Sequence, residues 1–289
     1  MRVKLLQRPF AFLAAWGLVA CSPLGSLNGI DTMSGAGSGV RQVAEAEAFG
    51  PDPRQTLDVY APPRASNAPV LVFFYGGSWS SGRRQDYRFV ARAFARRGFV
   101  VVVPDYRLVP AVRFPAFVED GASAVRWTRD HIAPLGGDPQ RIAVAGHSAG
   151  GYIALMLALD PQWLRKAGAD GAIRAAVGFA APADFLPMGP GAAREAFGAW
   201  PDLAATQPIS FVSKTAPPML LLHGDADTTV YPRNSRNLAA ALTKAGARVE
   251  TREYPGVGHI GILTSLSKPF RGKTAALNDA TTFLERELR

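Results

Sequence analysis

Two uninterrupted apolar runs, PVLVFFY (69–75) and FVVVVPDY (99–106), constrain this chain more than any other feature. A strand with one wet face alternates apolar and polar residues, whereas one covered on both faces reads as a continuous apolar run. Between them, RRQDYRFVARAFARRG (83–98) repeats apolar residues at helical spacing and stops at a glycine. Strand, helix and strand in that order predict a right-handed parallel crossover. The pattern continues. FPAFVEDGASAVRWTRDHI (114–132) predicts a helix, RIAVAG (141–146) a strand and SAGGYIALMLAL (148–159) a helix. IRAAVGFAA, PMLLLHG and ARVETREYP read as further strands, with helices over 233–245 and 273–288. The expected fold class is therefore α/β, a mostly parallel central sheet with helices on both faces. Ahead of it, VRQVAEAEAF and QTLDVYAPP alternate on either side of the turn signal GPDPR, which predicts an antiparallel N-terminal hairpin. Residues 182–217, rich in Pro and Gly, break the rhythm and predict a small cap over the carboxyl ends of the strands.

The amino end reads differently. Residues 1–20 combine Arg2, Lys4 and Arg8 with the apolar stretch Phe10–Ala20, the layout of an export signal. Leu18-Val19-Ala20-Cys21 resembles a bacterial lipobox, which implies lipidation at Cys21, the only cysteine. An ordinary secretory signal with an incidental cysteine is the alternative. Ser22 in the next position implies, by the same resemblance, the outer membrane. The expected location is the cell envelope, with the membrane as partner through a lipid anchor. Residues 21–40 are small and polar and predict a flexible tether, leaving 41–289 as the catalytic domain. Lys and Arg exceed Asp and Glu by nine, 32 against 23, yet the cations are scattered and no basic run forms, so no nucleic-acid partner is expected.

Chemistry concentrates at Gly146-His147-Ser148-Ala149-Gly150. A G-x-S-x-G turn between a strand and a helix lifts the serine hydroxyl above the sheet at a helix amino terminus. A serine hydroxyl is a weak nucleophile and needs an oriented base. Of four histidines, His147 adjoins the serine and is expected to point away from the attack position, His131 ends the preceding helix, and His223 ends a buried strand. His259, in the loop YPGVGHIGI, is the candidate base. LLLHGDADTTVYP offers Asp225 and Asp227 as the acid, Asp225 being a candidate turn former.

With LDVYAP, YGGSWSSG, DYRL, FPAFVED, GGDPQRIAVAGHSAGGYIA and HGDADTTV in this order, residues 41–289 resemble the α/β-hydrolase superfamily. The resemblance is to bacterial carboxylesterases related to hormone-sensitive lipase and to feruloyl-esterase-like enzymes. It implies the catalytic order Ser148, Asp227, His259, because the second aspartate of H-G-x-x-D is the family's acid. It implies an oxyanion hole from the amides of Gly77, Ser78 and Ala149, no cofactor or metal, and a small-molecule ester as substrate. Tyr75 stands where the family usually carries a histidine that helps hold the loop, and a tyrosine hydroxyl could hold it too; Tyr75 and Trp79 are candidates for the substrate pocket, with packing the alternative for Trp79. Asp120 and Arg107 match scaffold positions. The loop is also similar to that of kynurenine formamidases, which implies an aryl formamide as the alternative scissile bond. A non-catalytic envelope binding protein on the same fold is the alternative of another class.

Overall fold

The computed structural model describes residues 23–35 and 38–289. In chain order the elements are α1 (Pro23–Met33), β1 (Arg41–Ala48), β2 (Thr56–Ala61), β3 (Ala68–Phe74), α2 (Arg88–Ala95), β4 (Val100–Pro104), α3 (Ala116–His131) and β5 (Gly137–His147). There follow α4 (Ala149–Leu159), α5 (Pro161–Lys166), β6 (Ile173–Phe179), α6 (Ala192–Phe197), β7 (Met219–Gly224), α7 (Arg233–Ala245), β8 (Val249–Tyr254), α8 (His259–Thr264) and α9 (Ala276–Glu287). The eight strands form one sheet in the order β1-β2-β4-β3-β5-β6-β7-β8. β1 and β2 are antiparallel to their neighbours, and every pairing from β4 to β8 is parallel.

Both apolar runs occupy the centre of this sheet, and every residue of β4 is buried. α4 is buried nearly all round, so its sequence, AGGYIALMLAL, shows no polar face. The strand order reverses at β3: the chain leaves it toward β4 on one side and returns to β5 on the other. Loops leaving β3 and β5 therefore diverge, and they open a crevice at the carboxyl ends of the two strands. Ser148 follows β5 and Gly77 follows β3, so topology alone brings them to that crevice.

The tether expected over residues 21–40 is corrected where the chain is described. Pro23–Met33 forms α1, which lies against α2 and the turn before it. Leu27 is buried, Asn28 donates from Nδ2 to the Gln85 carbonyl at 2.8 Å and accepts from the Phe89 amide at 2.9 Å, and Asp31 accepts from the Lys268 amide at 2.9 Å. Such a segment has too little apolar surface to fold alone. Docked on a finished body it needs one leucine and a few side chains that satisfy backbone groups. Cys21 and the export signal lie outside the described residues. Among the described residues no helix is long and apolar enough to cross a membrane.

Candidate active site

The turn after β5 is tight for a steric reason. Ser148 has φ 54° and ψ −123°, a backbone conformation L residues rarely adopt. A side chain at position 150 would place its Cβ 2.2 Å from the Phe74 carbonyl oxygen, and one at 146 would lie 2.3 Å from that of Gly150. Glycine at both positions lets α4 start directly under Ser148, with β3 in contact.

Three side chains then meet from three separate loops. Ser148 Oγ lies 2.9 Å from His259 Nε2, and His259 Nδ1 lies 2.7 Å from Asp227 Oδ2. Asp227 faces only donors: its Oδ1 accepts from the amides of Thr229 and Val230, each at 2.9 Å, and His223 Nε2 approaches Oδ2 at 3.3 Å. Burial alone would raise this carboxyl, but the hydrogen bonds from His223 and His259 outweigh it and hold it well below the usual carboxylate range. An ionised Asp227 fixes the proton on His259 Nδ1 and leaves Nε2 free to accept from the serine. His259 is the first residue of α8, which replaces the loop expected from the sequence.

Asp225 stays out of this chain. Its Oδ1 accepts from the amide of Gly256 at 2.7 Å, so it clamps the loop that delivers His259 and does not brace its own turn as the sequence suggested.

Sequence reasoning gave no role to two further histidines. His147 is buried behind the base, its ring centroid 4.7 Å from that of His259. Its Nε2 donates to the His259 carbonyl at 3.0 Å, away from the attack position, while its Nδ1 has no partner among the described residues. Burial, aided by the neighbouring His259, pushes its pKa down to about 3, so the ring is neutral. His223 is bonded at both nitrogens, Nε2 to the Val230 carbonyl at 2.8 Å and Nδ1 to Ser235 Oγ at 2.7 Å. His147 turns away from the attack position as its place beside Ser148 suggested, whereas nothing in the sequence indicated which way His223 turns or that either ring packs against the Asp227–His259 pair.

The loop after β3 approaches Ser148 from the other side, so closely that a Cβ on Gly76 would stand 3.2 Å from that of Ser148. Gly77 has φ 141°, Ser78 φ 53° and Trp79 φ 58°, and the amides of Gly77, Ser78 and Ala149 donate to no acceptor among the described residues. Ser78 and Trp79 line a cleft of about 350 Å³ that reaches Ser148 and is closed by Pro182, Phe185 and Ala193 of the cap segment. Asn234 Oδ1 fastens that segment, accepting from the amides of Ala183 and Asp184 at 3.0 and 2.9 Å. Trp79 both lines the cleft and packs, meeting Phe197 edge-on at 4.8 Å.

Tyr75 does not belong to the substrate pocket, and that expectation is corrected. Its ring is fully buried, stacked on Tyr106 at 4.7 Å and on Tyr87 at 5.4 Å. A residue at the end of a central strand turns inward before the loop emerges, which is why the side chain cannot reach the cleft. Its hydroxyl accepts from Arg54 Nη2 at 2.8 Å, and the same nitrogen bonds the Gly82 carbonyl at 2.9 Å while Nε bonds that of Tyr106 at 2.9 Å. Arg54 thus ties both ends of the loop Tyr75–Gly82 to the N-terminal hairpin. Arg107 and Asp120 form a bidentate pair away from the cleft, with Gln55 Nε2 on the same carboxylate at 2.7 Å.

A nucleophile elbow at the switch point of a mostly parallel sheet, with a hydrogen-bonded Ser-His-Asp chain above it, defines an α/β-hydrolase of the serine type. Residues 57–242 match the BD-FAE family, and the chain belongs to it. The chain is 33% identical to esterase LipC of Mycobacterium tuberculosis over 234 residues, 73% of this chain and 58% of LipC. With carboxylesterase NlhH of the same organism it shares 48% identity over 102 residues, 35% of this chain and 32% of NlhH. It therefore spans about half of LipC and a third of NlhH. Thermogutta terrifontis esterase 2 superposes with a TM-score of 0.72 at 30% identity, covering 84% of this chain and 94% of that one. That esterase has also been solved phosphorylated by paraoxon and with butyrate bound.

Proposed function

We propose that the chain is a serine carboxylic-ester hydrolase working through an acyl-enzyme on small or medium esters. The observation that carries this reading is the continuous hydrogen-bond chain from Ser148 Oγ through the His259 ring to Asp227. Ser148 Oγ attacks the ester carbonyl carbon while its proton passes to His259 Nε2. Asp227 stays ionised and stabilises the imidazolium that forms. Negative charge develops on the carbonyl oxygen, and the unengaged amides of Gly77, Ser78 and Ala149 are the donors for it, fixed before the charge appears. Collapse breaks the ester C–O bond, and the leaving alkoxide takes the proton from His259. Water repeats the sequence on the acyl-enzyme, releasing the acid and restoring Ser148. A cleft of about 350 Å³ suits an ester of modest size. The paraoxon adduct and butyrate complex of the Thermogutta terrifontis esterase support the same chemistry and scale.

Labelling with a fluorophosphonate tests this directly. Wild-type protein should label at one serine and hydrolyse a short-chain nitrophenyl ester, and Ser148→Ala should do neither while keeping its fold. Equal labelling or near wild-type turnover in a folded Ser148→Ala protein removes the serine from its role.

For location we propose attachment to the cell envelope through an acylated Cys21, supported by the Leu18–Cys21 sequence. Pro23, two residues on, already belongs to the docked α1, so an acyl anchor would carry the body close to the bilayer. Cys21→Ser should abolish acyl incorporation and release the protein from membrane fractions. Wild-type protein that is unacylated and fractionates like the mutant refutes the anchor.

A further inference from the structure

The cleft beside Ser148 is mostly apolar, walled by Trp79, Phe185, Pro187, Ala193 and Val230. Among the described residues its lining holds no Asp or Glu and a single charged side chain, Arg233. The Arg233 side chain makes no hydrogen bond or ion pair with any described residue. Its guanidinium sits over the Tyr231 ring, 5.6 Å from the centroid, and Tyr231 is itself exposed at the rim.

Several other arginines of this protein find carboxylates. Arg236, one turn along α7, grips both oxygens of Glu253 at 2.7 Å, and Arg84 and Arg107 bind buried aspartates. The exposed Arg41, Arg64, Arg126 and Arg174 likewise have no side-chain partner among the described residues, but Arg233 alone of these lines the cleft, and helix stability does not explain its place. It is the first residue of α7, where the helix macrodipole presents positive partial charge and disfavours a cation. The aromatic face of Tyr231 holds the planar fork at the cleft mouth without neutralising it. Exposed at the rim, the fork attracts an anion through a charge that solvent and salt screen, and its geometry matches the two oxygens of a carboxylate.

We infer that the preferred substrates of this site are anionic esters, with a carboxylate remote from the scissile carbonyl that pairs with Arg233 while the connecting chain lies along the apolar wall. This rests on the ester-hydrolase reading above and specifies its substrate class. The carboxylate can sit on the acyl side, as in a hemiester of a dicarboxylic acid, or on the alcohol side, as in an ester of a hydroxy acid.

Two matched pairs distinguish these sources: monoethyl adipate against ethyl hexanoate, and the butanoyl ester of γ-hydroxybutyrate against butyl butanoate. Followed by pH-stat, the readout is the ratio of kcat/KM for the anionic ester to that for its neutral partner. In at least one pair the wild-type ratio should exceed unity by about tenfold, the value of one charge-assisted contact. Arg233→Gln should lower that ratio about tenfold, Arg233→Lys should retain part of it, and added salt should erode it in the wild type. General damage to the enzyme would slow both members of a pair and leave the ratio unchanged. Ready hydrolysis of the neutral esters with a ratio at or below unity in both pairs, or a ratio unaltered by Arg233→Gln, overturns the inference and leaves the hydrolase standing. A folded protein that cleaves none of the four esters overturns both.

Discussion

Lowering the pH should unfold this enzyme earlier than its carboxylates require, and His147 is the reason. The folded protein keeps this ring neutral until about pH 3, because burial excludes the charged form and His259 lies beside it. In the unfolded chain an ordinary histidine takes up its proton near pH 6.5. Below that value the unfolded state binds a proton that the folded state refuses, so stability is complete above pH 6.5 and drains away as pH falls toward 3. Between pH 7.5 and 5 the loss is about 2 kcal/mol, and by pH 4 about 3 kcal/mol. Asp227 does not confuse this window: its depressed carboxyl contributes fully above about pH 4 and is lost only below it. Urea unfolding at a series of pH values, in wild type and in His147→Gln, isolates the effect. The variant can still offer an amide donor to the His259 carbonyl but has nothing to titrate. Its stability should fall about 2 kcal/mol less than that of the wild type between pH 7.5 and 5. A wild-type stability that is flat over that range, or a variant that falls as steeply, refutes the reasoning.

The paired aspartates should separate sharply in kinetics. Asp227→Asn disturbs the tautomer of His259 and should cost about 10⁴ in kcat by the triad precedent. Asp225→Asn removes only the charge and keeps an Oδ1 that can accept from the Gly256 amide, so it should stay within about tenfold of wild type, and the reverse ranking would name the other carboxylate as the acid. Arg54→Met should lower kcat by about tenfold or more with KM little changed, because the loop that carries two oxyanion donors loses three charge-assisted bonds. A fall in Tm without a fall in kcat would show that Arg54 only braces the fold. At the alkaline end, buried Tyr60, pushed up to about 12 by burial and the nearby Asp58, opposes ionisation that the unfolded chain undergoes near pH 10. Stability should decline above pH 10, a loss that Tyr60→Phe should reduce in urea melts.

The sheet was readable because its central strands are buried on both faces and therefore announce themselves as continuous apolar runs. The helices at 233–245 and 273–288 were readable from spacing, and the structure places them at Arg233–Ala245 and Ala276–Glu287. α1 was not readable, since what orders Pro23–Met33 is a surface made elsewhere in the chain, at Gln85, Phe89 and Lys268. The elbow could be found because glycine is compulsory there, and the resemblance to a known family supplied the order of its partners. Tyr75 shows where such reading ends. One residue at a strand terminus faces either the cleft or the interior, and a single pleat decides which. Arg54 was equally hidden, for no local pattern links a turn arginine to a loop two strands away.

Arg54 and His259 both fall outside residues 57–242, the stretch by which the chain is assigned to its family. That stretch contains Ser148 and Asp227, the proposed nucleophile and acid, yet the proposed base His259 arrives from beyond its far end and the fastening of the Tyr75–Gly82 loop from before its start. What is inherited as a recognisable block is thus smaller than what operates as a catalyst. Recombination or gene trimming guided by the block alone would lose β1, β8 and both of these contributions, and a functional graft must carry the hairpin turn on one flank and α8 on the other.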